Sequence, residues 1–180
     1  MLYFHKELKE KYKYDYNIQK AVNNKDIFKI EDGLYSDKEY VNPLEIISKK
    51  YPNAILASDS AFYYHNLTDV VPDCFYLATS RSSTRINNQN IKQLFVPDEL
   101  LNIGKEEMKI ENTMVNIYNK ERMLIELIRK KNQIPFDYYK EIISNYRKII
   151  DVLDIYKLDE YIKYFNGEHN LYDTLQREVF

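Results

Sequence analysis

Side chains able to do acid–base, nucleophilic or metal chemistry are few in this 180-residue chain, and they are scattered. His5 and His169 lie near the two ends, His65 stands alone between them, and Cys74 is the single cysteine. With neither a cysteine pair nor a close histidine pair, no metal-ligand spacing is present. Ser58-Asp59-Ser60 resembles a nucleophile only in residue type, because the Gly-x-Ser-x-Gly elbow is missing. Three glycines leave no phosphate-cradling loop, and Gly104 has no glycine partner nearby. Asp151 and Asp154 are three apart and would share a helical face, where a solvated helix end is the simpler reading than a metal site. His65 follows Tyr63 and Tyr64 on a predicted helix and reads as a structural imidazole. The residues therefore imply no metal and no cofactor, and they give no positive case for an enzyme.

Binding chemistry has more to work with near the N-terminus. Phe4, Leu8 and Tyr12 recur every four residues, and Ile18, Ala21 and Val22 mark a second short helix that Asp15 would cap. That second helix leaves Tyr16, Asn17, Gln19, Lys20 and Asn23 pointing outward. Two short β-prone runs then flank Asp32-Gly33, a turn dipeptide suited to positive φ. Such a hairpin is marginal alone and must pack on something. Two helices followed by a small hairpin suggest a winged helix-turn-helix. From Met1 to Ile30 seven lysines stand against four acidic residues, and Lys25 and Lys29 sit beside the hairpin.

The whole chain sets limits on that reading. Its apolar fraction of 44% is enough for a core, and its formal net charge of −2 confines any nucleic-acid function to local patches. A lone cysteine, charged residues where a signal peptide needs an apolar run, and no span-length apolar stretch predict a cytoplasmic protein with no membrane contact.

Further along, Pro43 opens a helix to about Lys50, Ala54–Ala57 is a short apolar run, and Ser58 or Asp59 would cap a helix through His65. Phe75–Thr79 and Ile91–Val96 read as strands. Between them Ser80 to Asn90 is polar, carries Arg81 and Arg85 without an acid, and reads as an exposed loop, with Lys92 adding a third positive charge. Met108–Ile110 and Thr113–Tyr118 would pair around Glu111-Asn112. The last third is helical: Lys120–Lys131, a long helix opened by Pro135, a third helix ended by Asn166-Gly167, and a fourth through Leu171 and Leu175.

Several phrases occur together in one order. They are Phe28-Lys29-Ile30-Glu31-Asp32-Gly33-Leu34-Tyr35-Ser36, Ser60-Ala61-Phe62-Tyr63-Tyr64-His65-Asn66-Leu67-Thr68-Asp69, the strand Phe75–Thr79 with its basic follow-on, and Ile117-Tyr118-Asn119-Lys120-Glu121-Arg122-Met123-Leu124. The set resembles the AbiEi family of antitoxins and transcriptional regulators from abortive-infection, type IV toxin–antitoxin operons. The matching motif positions include Gly33, Tyr35, His65, Glu121 and Arg122. The resemblance implies an α+β chain: a short winged helix-turn-helix over residues 1–38, then an antitoxin domain over 39–180. That second domain would hold strands and helices over 39–118 and end in a helical part over 119–180. It further implies binding to inverted repeats in double-stranded promoter DNA, autorepression, and action against a nucleotidyltransferase-type toxin. The family's DNA-binding module commonly has three helices before its wing, whereas only 26 residues precede Ile27 here.

If DNA is the ligand, the second helix would enter the major groove with Asn17, Gln19, Lys20 and Asn23 facing base edges or phosphates. Lys25 and Lys29 would contact the backbone beside the groove, and Arg81, Arg85 and Lys92 would form a second phosphate-contacting patch. Six phosphate contacts correspond to a log–log salt slope of about −5. Glu121 is expected to interact with the helix N-terminus, and Arg122 to tie that helix to the preceding sheet through a buried or half-buried ion pair. The alternative is a protein–protein interaction module that neutralises a partner toxin by direct contact, without binding DNA.

Overall fold

The N-terminal tripeptide departs at once from the helical reading of the first residues. In the computed structural model, which describes all 180 residues, Leu2–Phe4 is a strand, β1, and helix α1 starts only at His5 and ends at Tyr12. Helix α2 follows over Asp15–Asn23, then strands β2 (Phe28–Glu31) and β3 (Leu34–Ser36), then helix α3 (Pro43–Lys50). β1 pairs antiparallel with β3, so the hairpin gains a third strand and the sheet order is β1-β3-β2. That pairing explains the correction. Leu2 and Leu34 can share a buried cluster with Val41 only when the first residues are extended beside β3.

The hairpin turn also differs in detail. Gly33 has φ of 77°, while Asp32 has no positive φ, so the turn is not the mirror-image type in which both central residues need one. The ladder instead shifts register between Lys29 and Glu31, which inserts an extra residue into β2. On the helix side, Leu8, Ile18, Ala21, Ile27 and Tyr35 form a second buried cluster. Pro43 opens α3 as expected, and the Asn42 side chain accepts from the Leu44 N–H at 2.8 Å.

These elements make up one compact unit, Met1–Pro52, and Asn53–Phe180 make up the other. The division therefore falls after α3, whereas the sequence placed it at residue 38. Ile46 packs on the Leu2–Leu34–Val41 cluster, and Lys49 and Lys50 pair with Glu7 and Glu31 at 2.7 and 2.8 Å, which keeps α3 with the first unit.

In the second unit β4 is only Ile55–Leu56, and both residues are buried. Helix α4 (Ser58–Tyr64) follows, then β5 (Phe75–Ser80), β6 (Ile91–Val96), the short α5 (Asp98–Leu101), β7 (Lys105–Ile110) and β8 (Thr113–Tyr118). Neither Ser58 nor Asp59 caps α4: Ala57 occupies the cap position without a side-chain hydrogen bond. The five strands lie in the order β6-β5-β4-β8-β7, with β5–β6 and β4–β8 parallel and the other pairs antiparallel. The polar segment Arg81–Asn90 is thus a crossover between parallel neighbours. Gln93 anchors it: its Oε1 accepts from the Ile86 N–H at 2.7 Å, and its Nε2 donates to the Thr84 carbonyl at 3.1 Å and the Thr79 hydroxyl at 2.8 Å.

Helices α6 (Lys120–Arg129), α7 (Phe136–Lys148), α8 (Ile155–Ile162) and α9 (Glu168–Glu178) complete the chain. Leu124, Ile125 and Leu127 of α6, Ile142 and Tyr146 of α7 and Ile162 of α8 are wholly buried. Gly167, expected to end the third of these helices, instead stands at the cap before α9 with φ of 86°. The molecule is a mixed α+β structure of nine helices and two sheets, and no helix is long and apolar enough to cross a membrane.

Candidate nucleic-acid interface

Helix α2 buries Ile18 and Ala21, half-buries Val22, and leaves the opposite side to solvent. Tyr16, Gln19, Lys20 and Asn23 fall at i, i+3, i+4 and i+7, so one turn above another they form a single outward stripe. All four are exposed, Tyr16 to 76%. Asn17 is diverted from that stripe, since its Nδ2 donates to the Tyr12 carbonyl at the end of α1 at 2.9 Å. The acidic group at the head of α2 is neutralised locally: Asp15 meets His5 at 3.0 Å and Lys9 at 3.2 Å.

Lys25 follows the helix at φ of 62°, exposed and outside any ion pair, whereas Lys29 on β2 holds Asp32 at 2.6 Å. That contact raises the Lys29 ammonium above its ordinary value and lowers the Asp32 carboxyl, the hydrogen bond being the larger cause in both. Both groups are exposed, so the pair stays open to competition from a phosphate. The first unit carries ten lysines and nine acidic residues, so its surface attraction for DNA is local rather than general. Tyr16 is the side chain that the sequence had already turned outward without giving it a contact. Its place in the i, i+3, i+4, i+7 stripe was the signal.

Arg81, Arg85 and Lys92 belong to the second unit and do not form one patch there. Arg81 follows the end of β5, where its N–H donates to the Val96 carbonyl at 3.1 Å. Lys92 lies at the opposite end of the same strand pair, paired with Tyr76, and its ammonium sits 4.9 Å from that ring's centroid. Arg85 is exposed on the crossover, between the two residues that Gln93 anchors.

Of the remaining motif positions, Tyr35, His65, Glu121 and Arg122 are buried and Gly33 is exposed. His65 Nε2 meets the Tyr118 carbonyl at 2.7 Å, Nδ1 has no partner, and burial lowers the imidazole's pKa, so the neutral ring donates through Nε2. Tyr35 belongs to the buried cluster under α2, and Gly33 supplies the positive φ of the turn. Glu121 lies in the first turn of α6, and its Oε1 also accepts from the Asp154 N–H at 2.9 Å, just ahead of α8. Asp154 in turn caps α8 by accepting from the Lys157 N–H at 3.2 Å.

Arg122 is 1% exposed and its ion pair lies along its own helix, Nη2 to Glu126 at 2.9 Å, rather than with the sheet. Its Nη1 donates to the Leu100 carbonyl at 3.3 Å, and the guanidinium lies 4.9 and 4.4 Å from the ring centroids of Tyr118 and Phe165. Gly104 closes this corner. Its carbonyl accepts from the Asn119 N–H at 2.7 Å, and the Asn119 side chain accepts from the Arg122 N–H at 2.9 Å. No group of three or more His, Cys, Asp or Glu side chains is placed to hold a metal ion. No protein-family model matches the chain, and no curated protein matches it.

Proposed function

We propose that Met1–Pro52 is a reduced winged helix-turn-helix and that the chain is a DNA-binding autorepressor and antitoxin of the AbiEi kind, directed against a nucleotidyltransferase-type toxin. One observation carries the DNA half. Two short helices lie between β1 and β2 in a sheet ordered β1-β3-β2, and the second helix turns an acid-free stripe of Tyr16, Gln19, Lys20 and Asn23 to solvent. In this reading β1 supports the hairpin in place of an additional leading helix, the stripe enters the major groove, and Lys25 and Lys29 reach phosphates on either side. Gln19 and Asn23 suit the N6/N7 edge of adenine, and Lys20 suits guanine or phosphate. Support for the antitoxin half is the ordered set of motifs running from Phe28 to Leu124. His65, Glu121 and Arg122 within it make contacts that hold the architecture.

The test is a promoter-fragment titration by fluorescence anisotropy. Lys20→Ala combined with Lys29→Ala abolishes binding while the melting temperature stays as in the parent protein. Three phosphate contacts from Lys20, Lys25 and Lys29 give a log–log salt slope of about −3. Parental affinity in the double variant would sink the DNA-binding assignment. Co-purification with the adjacent gene product, without any promoter shift, would replace it by direct neutralisation of the toxin.

A further inference from the structure

The second unit contains a cationic pocket, and of its four cations the DNA-binding reading assigned a phosphate contact only to Arg81. A cavity of about 410 Å³ lies between the ends of β5 and β6 and helix α6. Arg81, Arg122, Arg129 and Lys130 line it, and Glu126 is the one acid among its walls. Glu126 already answers three of those cations, Arg122 at 2.9 Å and Arg129 and Lys130 at 3.4 Å each. Arg81 has no acidic partner, and the buried Arg122 retains an Nε–H with no acceptor. One carboxylate among four cations leaves an excess of positive charge in a recess, the condition under which a phosphate is held by charge-assisted hydrogen bonds. The C-terminal ends of parallel strands are also where α/β sheets commonly place ligands.

A second cavity of about 580 Å³ shares Ser58, Leu94 and Lys130 with the first. Its far wall carries the rings of Tyr76 and Tyr138, with Asp59 beside them. The Tyr138 hydroxyl is buried without a hydrogen-bond partner, and Thr68, the hydroxyl beside it, gives its proton to Glu141 at 2.8 Å. Burial and the neighbouring Asp59 push the Tyr76 phenol up to about 12. Burial also raises the Tyr138 phenol, so both rings are protonated at neutral pH, and the Tyr76 hydroxyl is already hydrogen-bonded to Asp59. Ser58, on the shared wall, has φ of 50°, a conformation that L residues rarely hold. Both cavities lie within the size range of small-molecule sites.

We propose that this double pocket binds a nucleotide, with the phosphate among Arg81, Arg122, Arg129 and Lys130 and the base against Tyr76 and Tyr138. The guanidinium groups and the ammonium neutralise the phosphate. Asp59 accepts from an exocyclic amine or ring N–H, and Tyr138 O–H donates to a ring nitrogen or carbonyl. Duplex DNA is the poorer occupant, since its backbone presents diesters along a smooth ridge, whereas Arg122 lies at the bottom of a recess. The inference stands on the second unit alone and does not need the first unit to bind DNA.

Isothermal titration calorimetry of the full chain with AMP, ATP, adenosine, inorganic phosphate and a promoter-length duplex tests it. The variants are Arg81→Ala with Lys130→Ala, which removes exposed and half-buried cations while leaving the buried Arg122 in place, and Tyr138→Phe. AMP or ATP binds the parent protein, adenosine binds far more weakly, and the double variant loses about tenfold affinity or more per cation removed. Tyr138→Phe weakens AMP without changing inorganic phosphate. Lys20→Ala/Lys29→Ala binds AMP as the parent does, so failure of the DNA assignment is separable from failure of this one. The proposal is overturned if neither nucleotide binds, or if adenosine or inorganic phosphate matches AMP. It is equally overturned if the double variant keeps full affinity, or if the duplex displaces AMP through Arg81 and Lys130.

Discussion

Helices α2 and α6 both carry polar side chains that the sequence singled out, Gln19, Lys20 and Asn23 on α2 as a binding face and Glu121 and Arg122 on α6 as parts of the architecture. On α2 these side chains face water and outside any ion pair. On α6 they are buried and engaged: Glu121 holds the backbone before α8, and Arg122 joins Glu126, the Leu100 carbonyl and two aromatic rings. Residue type alone does not separate a binding face from an internal brace. The apolar neighbours do, since Met123, Leu124 and Ile125 continue inward beside Arg122, whereas on α2 only Ile18, Ala21 and part of Val22 turn in.

The largest effect that would break this contrast is at Gly104, against α6. A Cβ there would meet the Arg122 Cβ at 2.4 Å on a backbone with φ of 73°. Gly104→Ala is expected to cost about 4 kcal/mol, read from the midpoint of urea unfolding. Arg122→Ala should cost about 3 kcal/mol in the same assay, moderated because Glu126 keeps Arg129 and Lys130. If Arg122→Ala were neutral, the brace reading of α6 would fail.

His65 sharpens the contrast through pH. Its folded-state pKa lies below the ordinary 6.5, because burial penalises the charged ring more than the Tyr118 carbonyl stabilises it. As pH falls through 6.5 the unfolded chain takes up a proton that the folded state refuses. This contribution is therefore whole above 6.5 and declines below it until the folded value is reached. His65→Gln, which keeps an N–H donor, should flatten that acid-side slope in melting temperatures recorded from pH 7 downward.

Gly33 gives the smaller counterpart of Gly104. It has φ of 77° but open space around a built Cβ, so Gly33→Ala should cost about 1 kcal/mol in the urea midpoint. Smallest in stability is Gln19→Ala with Asn23→Ala on the exposed stripe, within about 0.5 kcal/mol of the parent protein. The same variant should relax discrimination between promoter and scrambled duplex in anisotropy titrations, and a change in stability instead would place α2 with α6.

The sequence carried the elements whose signals are local. The Asp32-Gly33 hairpin, the Pro43 helix start, the strands near Phe75 and Ile91 and the helices from Lys120 onward can be read from turn residues and spacing. β1 was not legible because Phe4 sits in helical phase with Leu8 and Tyr12, while its strand partner, β3, lies some thirty residues away. The start of β7, Lys105-Glu106-Glu107, is too charged to read as a strand, and it takes that form as the edge partner of β8. Charged residues on a sheet edge also discourage pairing with another chain. The stripe on α2 was readable from periodicity. The grouping of Arg81 with Arg122, Arg129 and Lys130 was not, because only the folded sheet brings a strand end to the side of α6.

The parallel contact between β4 and β8 has a kinetic consequence. Leu56 meets Ile117 across about sixty residues, at the centre of the five-stranded sheet, and β4 offers only two residues to hold that junction. Closing so long a loop for so short a ladder delays the reward until β8 arrives. The three-stranded sheet of the first unit closes within its first 36 residues, so its strands assemble early, while the second sheet waits on a late encounter in mid-chain.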